Sequence, residues 1–291
     1  MLSLMKAGSG REVINVWRPS DLRQLELRRG INAARPVPRH WHDEFQLCLI
    51  EAGSGEVIYR GQHHPTPPAS LFIIHPGETH SNRAFDQSGC DFKSLYIEPN
   101  VVRSTATEIY GRDRGVPFFA TTIVFDRDIL ALFLKLYAAL EVSTSTLERE
   151  SLLQSFSTEL IARFGEQRLS LDSLNKKRVS VKRACEYLTE HYAENVFLEQ
   201  LARLVGLSPF HFSRVFSEQV GMPPHAFQTQ VRIARAKTLL LRGESITQVA
   251  DQTGFADQSH LTRHFKRLIG VTPGQYQQNS KNVQDRLNVS C

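Results

Sequence analysis

Apolar positions alternate in short runs over the first third of the chain and recur every three to four residues over most of the remainder. Phe45-Gln-Leu-Cys-Leu-Ile50 and Glu56-Val-Ile-Tyr-Arg60 flank Glu51-Ala-Gly-Ser-Gly55, a pattern that predicts two strands joined as a hairpin. Gln62-His-His-Pro-Thr-Pro-Pro68 reads as a loop, Ser70-Leu-Phe-Ile-Ile-His75 as a strand, Pro76-Gly77 as a turn and Phe92–Ile97 as a further strand. Short strands at such intervals, between about Arg11 and Pro99, predict a small sandwich or barrel. From Asp126 the period becomes helical. Leu130, Phe133, Leu134, Tyr137 and Leu140 form one apolar stripe, and Leu152, Leu153, Phe156, Leu160, Ile161 and Phe164 form another. Helices over 126–142 and 147–164 suit either a cover for the β domain or a dimer seam. Gly165–Lys177 has no period and reads as a linker.

The last third of the chain repeats itself. Leu201-Ala-Arg-Leu-Val-Gly-Leu207 aligns with Val249-Ala-Asp-Gln-Thr-Gly-Phe255 at an offset of 48. Phe212-Ser-Arg-Val-Phe216 aligns with Leu261-Thr-Arg-His-Phe265, and Gly221-Met-Pro-Pro-His-Ala-Phe227 with Gly270-Val-Thr-Pro-Gly-Gln-Tyr276, both at 49. Each copy predicts two short helices around a sharp turn. In the first, Leu198, Leu201, Ala202 and Val205 share one face, Gly206 suits a left-handed exit, Ser208 a cap and Pro209 a first helical position. The next helix, Pro209–Val220, turns Phe212, Val215 and Phe216 inward. That leaves Phe210, Arg214 and Ser217 outward, with His211 and Ser213 on the flanks. In the second copy Ile246, Val249, Ala250, Leu261, Phe265, Leu268 and Ile269 face inward. Ser259, Arg263 and Lys266 face outward, with Gln258, His260 and Thr262 beside them. Arg, Gln, Ser and Thr near a helix N-terminus are the residue types that read bases in a major groove. Between the copies, the 17 residues His225–Leu241 predict an uninterrupted helix. At ~1.5 Å per residue it spans about 25 Å, enough to hold two reading helices roughly one DNA turn, ~34 Å, apart.

Charge supports a polyanion partner for this region. Residues 176–291 carry 16 Lys+Arg against 9 Asp+Glu, whereas residues 1–175 carry 19 against 21. The 291 residues, 41% hydrophobic and 22% charged, are globular in composition and long enough for about two domains. The longest apolar stretch, the 12 residues Ile129–Leu140, is interrupted by Lys135 and falls short of the roughly 20 that a membrane span needs. No apolar signal core follows the N-terminus, and Cys48, Cys90, Cys185 and Cys291 form no CxxC pair. The expectation is therefore a cytoplasmic protein with reduced thiols.

Over Ser180–Tyr276, and most closely over Gly254-Phe-Ala-Asp-Gln-Ser-His-Leu-Thr-Arg-His-Phe-Lys266 with Gly270-Val-Thr-Pro273, the chain resembles the AraC/XylS family of bacterial transcription regulators. The resemblance implies base contacts from the positions of Phe210, Ser213 and Arg214 in the first unit. In the second it implies contacts from Gln258, Ser259, His260, Thr262 and Arg263. The N-terminal part resembles the cupin-like sensor domain of that family, through His40-Trp-His-Asp-Glu-Phe45 and His75-Pro-Gly-Glu-Thr-His80. The expected fold is thus α+β in two domains. Residues 11–165 form a cupin-like β-barrel followed by two helices, 166–177 a linker, and 178–280 an all-α domain with two helix-turn-helix units. A metal cupin uses a His-x-His pair, a Glu shortly after and a later His. His40, His42 and His80 stand at the three histidine positions, but Gln46 replaces the Glu. A neutral amide is a poor ligand for a divalent cation, so no metal or other cofactor is expected. Instead, His40, His42, Glu44, Gln46 and His80 are expected to line a pocket for a small organic effector. Simple hydrogen bonding of these histidines within the barrel is the bland alternative.

The function these residues imply is an effector-controlled, sequence-specific DNA-binding regulator, an activator. It has no catalytic residues, and its partners are double-stranded DNA, the effector, RNA polymerase and a second copy joined through helices 126–164. A metal-dependent cupin enzyme with an accessory DNA-binding domain is the alternative. Gln46 and the lack of another acid–base pair with suitable spacing oppose it. A sequence-indifferent nucleic-acid coater would carry a larger and more even charge.

Overall fold

The computed structural model describes residues 11–19, 21–143, 145–166 and 176–279; the side chains of 176–180 and of Phe210 lie outside that description, as do Cys291 and most of the expected linker 166–177. Two compact units result, one holding residues 11–36 and 42–166 and the other residues 37–41 and 176–278.

Residues 11–97 contain β1 (Val13–Trp17), β2 (Leu25–Ala33), β3 (Val37–His40), β4 (Phe45–Ala52), β5 (Gly55–Tyr59), β6 (Gln62–Thr66), β7 (Ser70–Ile74), β8 (His80–Ala84) and β9 (Cys90–Ile97). These are followed by α1 (Pro99–Tyr110), the two-residue strands β10 (Phe118–Phe119) and β11 (Ile123–Val124), α2 (Arg127–Val142), α3 (Thr146–Phe164) and β12 (Gly165–Glu166). The strands form a six-stranded sheet, β1-β2-β9-β4-β7-β11, a four-stranded sheet, β3-β8-β5-β6, and the small pair β10-β12. This corrects the expected barrel: closure requires edge strands to pair, and β1 and β11 at the ends of the larger sheet do not pair with β3 or β6 at the ends of the smaller.

Two further expectations are corrected. The predicted 45–50/56–60 hairpin does not form, because β4 pairs with β7 and β9 whereas β5 pairs with β6 and β8. Gly53, in left-handed backbone at φ 73° and so close to Gly89 that a Cβ would collide with its carbonyl oxygen, lets the chain leave one sheet for the other. Gln62–Thr66 is a strand rather than a loop. Pro65 is tolerated there because β6 is the outer strand of its sheet and Pro cannot donate to an inner ladder.

Both faces of the larger sheet are buried. Leu25, Leu27, Leu47, Leu49, Leu71, Ile73, Leu95 and Ile97 pack against Val102, Ala106, Ile129, Phe133, Leu136, Leu153, Phe156 and Leu160 of α1–α3. On the opposite parity Cys48, Ile50, Phe72 and Ile74 pack with Val57 and Tyr59 of β5. Helices α2 and α3 start where the pattern predicted, and Asp126 and Ser145 cap them through their side chains. Leu134, placed in the inward stripe, is 40% exposed and Leu136 takes its place. No separate sequence pattern announced α1. The described cysteines Cys48, Cys90 and Cys185 are free thiols, and burial pushes Cys90 up to about 11 and Cys185 up to about 12.

The helical unit consists of α4 (Lys176–Glu190), α5 (Leu198–Leu204), α6 (Pro209–Val220), α7 (Pro224–Leu241), α8 (Ile246–Gln252) and α9 (Gln258–Ile269), with a final helical stretch over 273–279. Phe212, Phe216, Leu201, Ala202, Val181, Ala184 and Leu188 form one core. Val249, Leu261, Phe265, Tyr276 and Ala236 are equally buried around the second helix pair.

Gly206 and Gly254 end the first helix of each pair at φ 68° and 74°. A Cβ on Gly206 meets nothing within 4 Å, whereas one on Gly254 would collide with the carbonyl of Ala193. Gly206→Ala should cost about 1–2 kcal/mol, the penalty for a side chain in left-handed backbone. Gly254→Ala should cost about 1–3 kcal/mol more through the collision. Urea midpoints at unchanged m-value measure both, and equal shifts would contradict the close approach.

Candidate functional site

Two groups of predicted residues are placed by separate parts of the fold. In the sheet-rich unit, Gln46 shares the inner face of β4 with Cys48 and Ile50, because side chains two apart point the same way. His40 ends β3 and His80 begins β8, and both are buried; His42 lies in the turn before β4. One ring nitrogen of each of these three histidines lies within 4.8 Å of the others. The His42 ring stands edge-on to His80 at 4.9 Å and to Tyr96 at 5.1 Å between centroids. His42 Nε2 is 3.2 Å from Gln46 Oε1, and the Gln46 amide donates to Ser94 Oγ at 3.2 Å. Burial holds His42 below the ordinary imidazole value, against the opposing pull of Glu44, so the ring is neutral near pH 7.

The fifth predicted residue, Glu44, is engaged elsewhere: its carboxylate lies 3.6 Å from Arg18, which also pairs with Glu26 at 3.1 Å. Glu26 is fully buried and pairs a second time with Arg28 at 2.7 Å, and the Arg28 guanidinium lies 4.2 Å above the Tyr96 ring. Arg18, Glu26, Arg28, Ser94 and Tyr96 therefore join the five predicted residues in one polar cluster. Sequence reasoning missed them, although Leu25-Glu-Leu-Arg28 alternates apolar and charged side chains. That alternation ordinarily marks a solvated face. Here the second sheet covers it, and the charges are buried as pairs.

In the helical unit, α6 and α9 carry the other group. Arg214, Gln258, Ser259 and Arg263 are exposed, and His211, Ser213, His260 and Thr262 are half-buried. Phe210 lies on α6 with its side chain outside the description. Arg214 sits 3.6 Å from Glu218 one turn on, and Gln258 accepts a hydrogen bond from Thr247 at 3.2 Å. His260 is partly committed to the fold. Its Nδ1 accepts the Ala256 N–H at 3.4 Å, and its ring packs edge-on against Phe255 at 5.3 Å and His264 at 4.7 Å.

The internal repeat is reproduced in three dimensions. Ser208 and Asp257 each cap the following helix, accepting from His211 and His260. Phe216 meets Phe227 edge-on at 5.8 Å, and Phe265 meets Tyr276 edge-on at 5.4 Å. One residue beyond each pair comes a glutamine. Gln228 donates to the Tyr192 and Glu194 carbonyls beyond α4, and Gln277 donates to the Leu240 and Glu244 carbonyls at the end of α7. These glutamines follow the last aligned motif and complete the duplication. From the middle of α7, Arg232 donates Nε to Tyr192 O at 2.7 Å and its two terminal nitrogens to Gly254 O at 2.6 Å and Glu194 O at 3.0 Å. It thus ties the turn of the second pair to the loop beneath the first.

The sheet-rich domain thus holds an enclosed polar cluster, and the helical domain exposes Arg, Gln and Ser from two duplicated helices. Residues 25–157 match the family model of an AraC-like ligand binding domain, and residues 201–279 match that of a helix-turn-helix domain. The HTH-type transcriptional regulator YbfI of Bacillus subtilis is 34% identical over 237 residues, covering 81% of this chain and 86% of that protein. The HTH-type transcriptional activator RhaS of Klebsiella pneumoniae is 22% identical over 241 residues, covering 81% and 86%. A solved structure of Vibrio cholerae ToxT with an unsaturated fatty acid bound shares the fold at a TM-score of 0.55 and 15% identity, over 96% of this chain and 99% of that one. The chain belongs to the AraC family of transcriptional regulators, with an N-terminal ligand-binding domain. Its relatives are regulators, and among the described residues no helix is long and apolar enough to cross a membrane.

The α9 face supplies a pH test. Burial, followed by Arg267, His260, Arg263 and Arg232, lowers His264 from 6.5 to about 4. A histidine with a depressed folded pKa binds fewer protons folded than unfolded. Its contribution to stability is complete above pH 6.5 and lost as the pH falls toward about 4. His264→Gln should flatten that portion of the acid limb, seen as a smaller drop in Tm across this window than in the wild type.

Proposed function

We propose that the helical domain reads DNA through two helix-turn-helix units, α5/α6 and α8/α9, with α6 and α9 in successive major grooves. The observation that carries this reading is the duplication: both second helices expose a polar face while their caps, aromatic pairs and glutamine tethers are repeated beneath them. Arg214 and Arg263 each make bidentate contacts to a guanine edge. Phe210, His211, Ser213, Gln258, Ser259, His260 and Thr262 supply the remaining base and phosphate contacts, with His260 also supporting its own helix. Two unlike readers on one chain suit an asymmetric site.

In this reading residues 11–165 are the effector domain, 166–177 the linker and 178–280 the DNA-binding domain. His40, His42, Glu44, Gln46 and His80, together with Arg28 and Tyr96, receive a small organic effector. The effector changes DNA affinity to the extent that it binds the two states of the protein differently. The protein acts in the cytoplasm as an activator that engages RNA polymerase and has no catalytic activity of its own; the activator role is supported by the similarity to the transcriptional activator RhaS. Exposed Leu134, Val142 and Leu147, 40%, 82% and 74% accessible, support a homodimer seam along 126–164.

Footprinting on genomic fragments with and without a metabolite panel tests the whole reading. Arg263→Ala should weaken binding to the footprinted site by about 1–3 kcal/mol and relax preference at one base pair, with little loss on random DNA. Equal losses on both DNAs would remove Arg263 from base reading.

A further inference from the structure

We propose that Arg232 is a positioning residue for DNA binding, setting the spacing of the two DNA segments that one chain reads together. It does so by joining the loop before α5 to the turn between α8 and α9, which fixes the angle between the two helix pairs. This role rests on the reading of α6 and α9 as occupants of successive major grooves.

Two quantities place one reader relative to the other. Separation follows from α7, whose 18 residues at ~1.5 Å each reach about 27 Å. The angle about the α7 axis depends in addition on contacts made away from that axis. Arg232 stands on α7 after Phe227, which packs on the core of the first pair, and before Leu240, whose carbonyl accepts from Gln277 of the second half. Its Nε and one terminal nitrogen donate to Tyr192 O and Glu194 O, and the other terminal nitrogen donates to Gly254 O. The same two loop carbonyls accept from Gln228, so the loop is already fastened to the first half where the arginine carries it to the second. Loop and turn also meet backbone to backbone, since a Cβ on Gly254 would stand 2.2 Å from the Ala193 oxygen. The guanidinium lies 5.9 Å from the centroid of the Phe255 ring, which follows that turn. All three hydrogen bonds end on main-chain oxygens, so they fix the course of two backbone segments rather than a surface side chain. A lysine brings the same charge on one nitrogen and cannot span three oxygens on two segments.

The groove of B-DNA returns about every 10–10.5 base pairs. One added base pair between two read segments therefore turns one against the other by about 35°. Helix pairs linked off the α7 axis cannot follow that turn, whereas unlinked pairs follow part of it.

The test uses the full-length chain and a duplex that the wild type selects from a random-sequence pool, beside a copy with one base pair inserted between the two protected segments. The insertion should weaken wild-type binding about 100-fold, through loss of the base contacts of one reader. In Arg232→Met that ratio should fall to about 10-fold or less. Arg232→Lys keeps the charge and most of the stem, should lower the ratio in the same direction, and carries the test if Arg232→Met does not fold. A purely structural role would weaken binding to both duplexes alike, so a wild-type ratio in the folded variants would overturn the proposal. An insertion that costs the wild type nothing would instead refute the two-groove reading, and the role of Arg232 would fall with it. The two failures are told apart by whether the wild type discriminates between the duplexes.

Discussion

The helical domain depends on one side chain, Arg232. The two helix pairs meet through α7, and Arg232 adds a polar link between their loops. The planar guanidinium places three donors on three carbonyls drawn from two places, the loop after α4 and the turn of the second pair. Arginine suits this task because its fork is rigid and permanently charged, so its hydrogen bonds are strong and directional. Gly254 completes the arrangement by leaving room for Ala193 against the same turn.

Beneath that staple lies a repeated local economy of means. In each pair a polar cap starts the second helix, a left-handed glycine ends it at Gly221 and Gly270, and an edge-on aromatic pair follows. A glutamine then satisfies carbonyls left open where an earlier helix finishes. The fold meets the same requirement twice, once for α4 and once for α7. The duplicated motif therefore extends past the residues that would face DNA.

This explains what was legible in the sequence. Helix boundaries in the last third were readable because caps, glycines and apolar spacing all act within a few residues. The two long helices at 127–142 and 146–164 were readable for the same reason. Strand pairing was not. Whether 45–52 pairs with 55–59 or leaves it for another sheet depends on the approach of Gly53 to Gly89, a contact between residues distant in the chain. Pro65 looked like a strand breaker because nothing local says that its strand lies at a sheet edge. The histidines were found by motif, but Glu26 and Arg28 were passed over because a charged face looks the same in sequence whether water or a second sheet covers it.

The thinness of the larger sheet has a mechanical consequence. Leu25 and Leu27 press on the helices while Glu26 and Arg28, their immediate neighbours, belong to the polar cluster on the other side. The Tyr137 hydroxyl of α2 donates to the backbone oxygen of Arg28 itself, at 2.9 Å. One peptide strand is thus gripped from above and below. A twist imposed on it by rearranged charges within has a direct handle on α2, transmitted across a single layer of backbone with no loop or hinge in between.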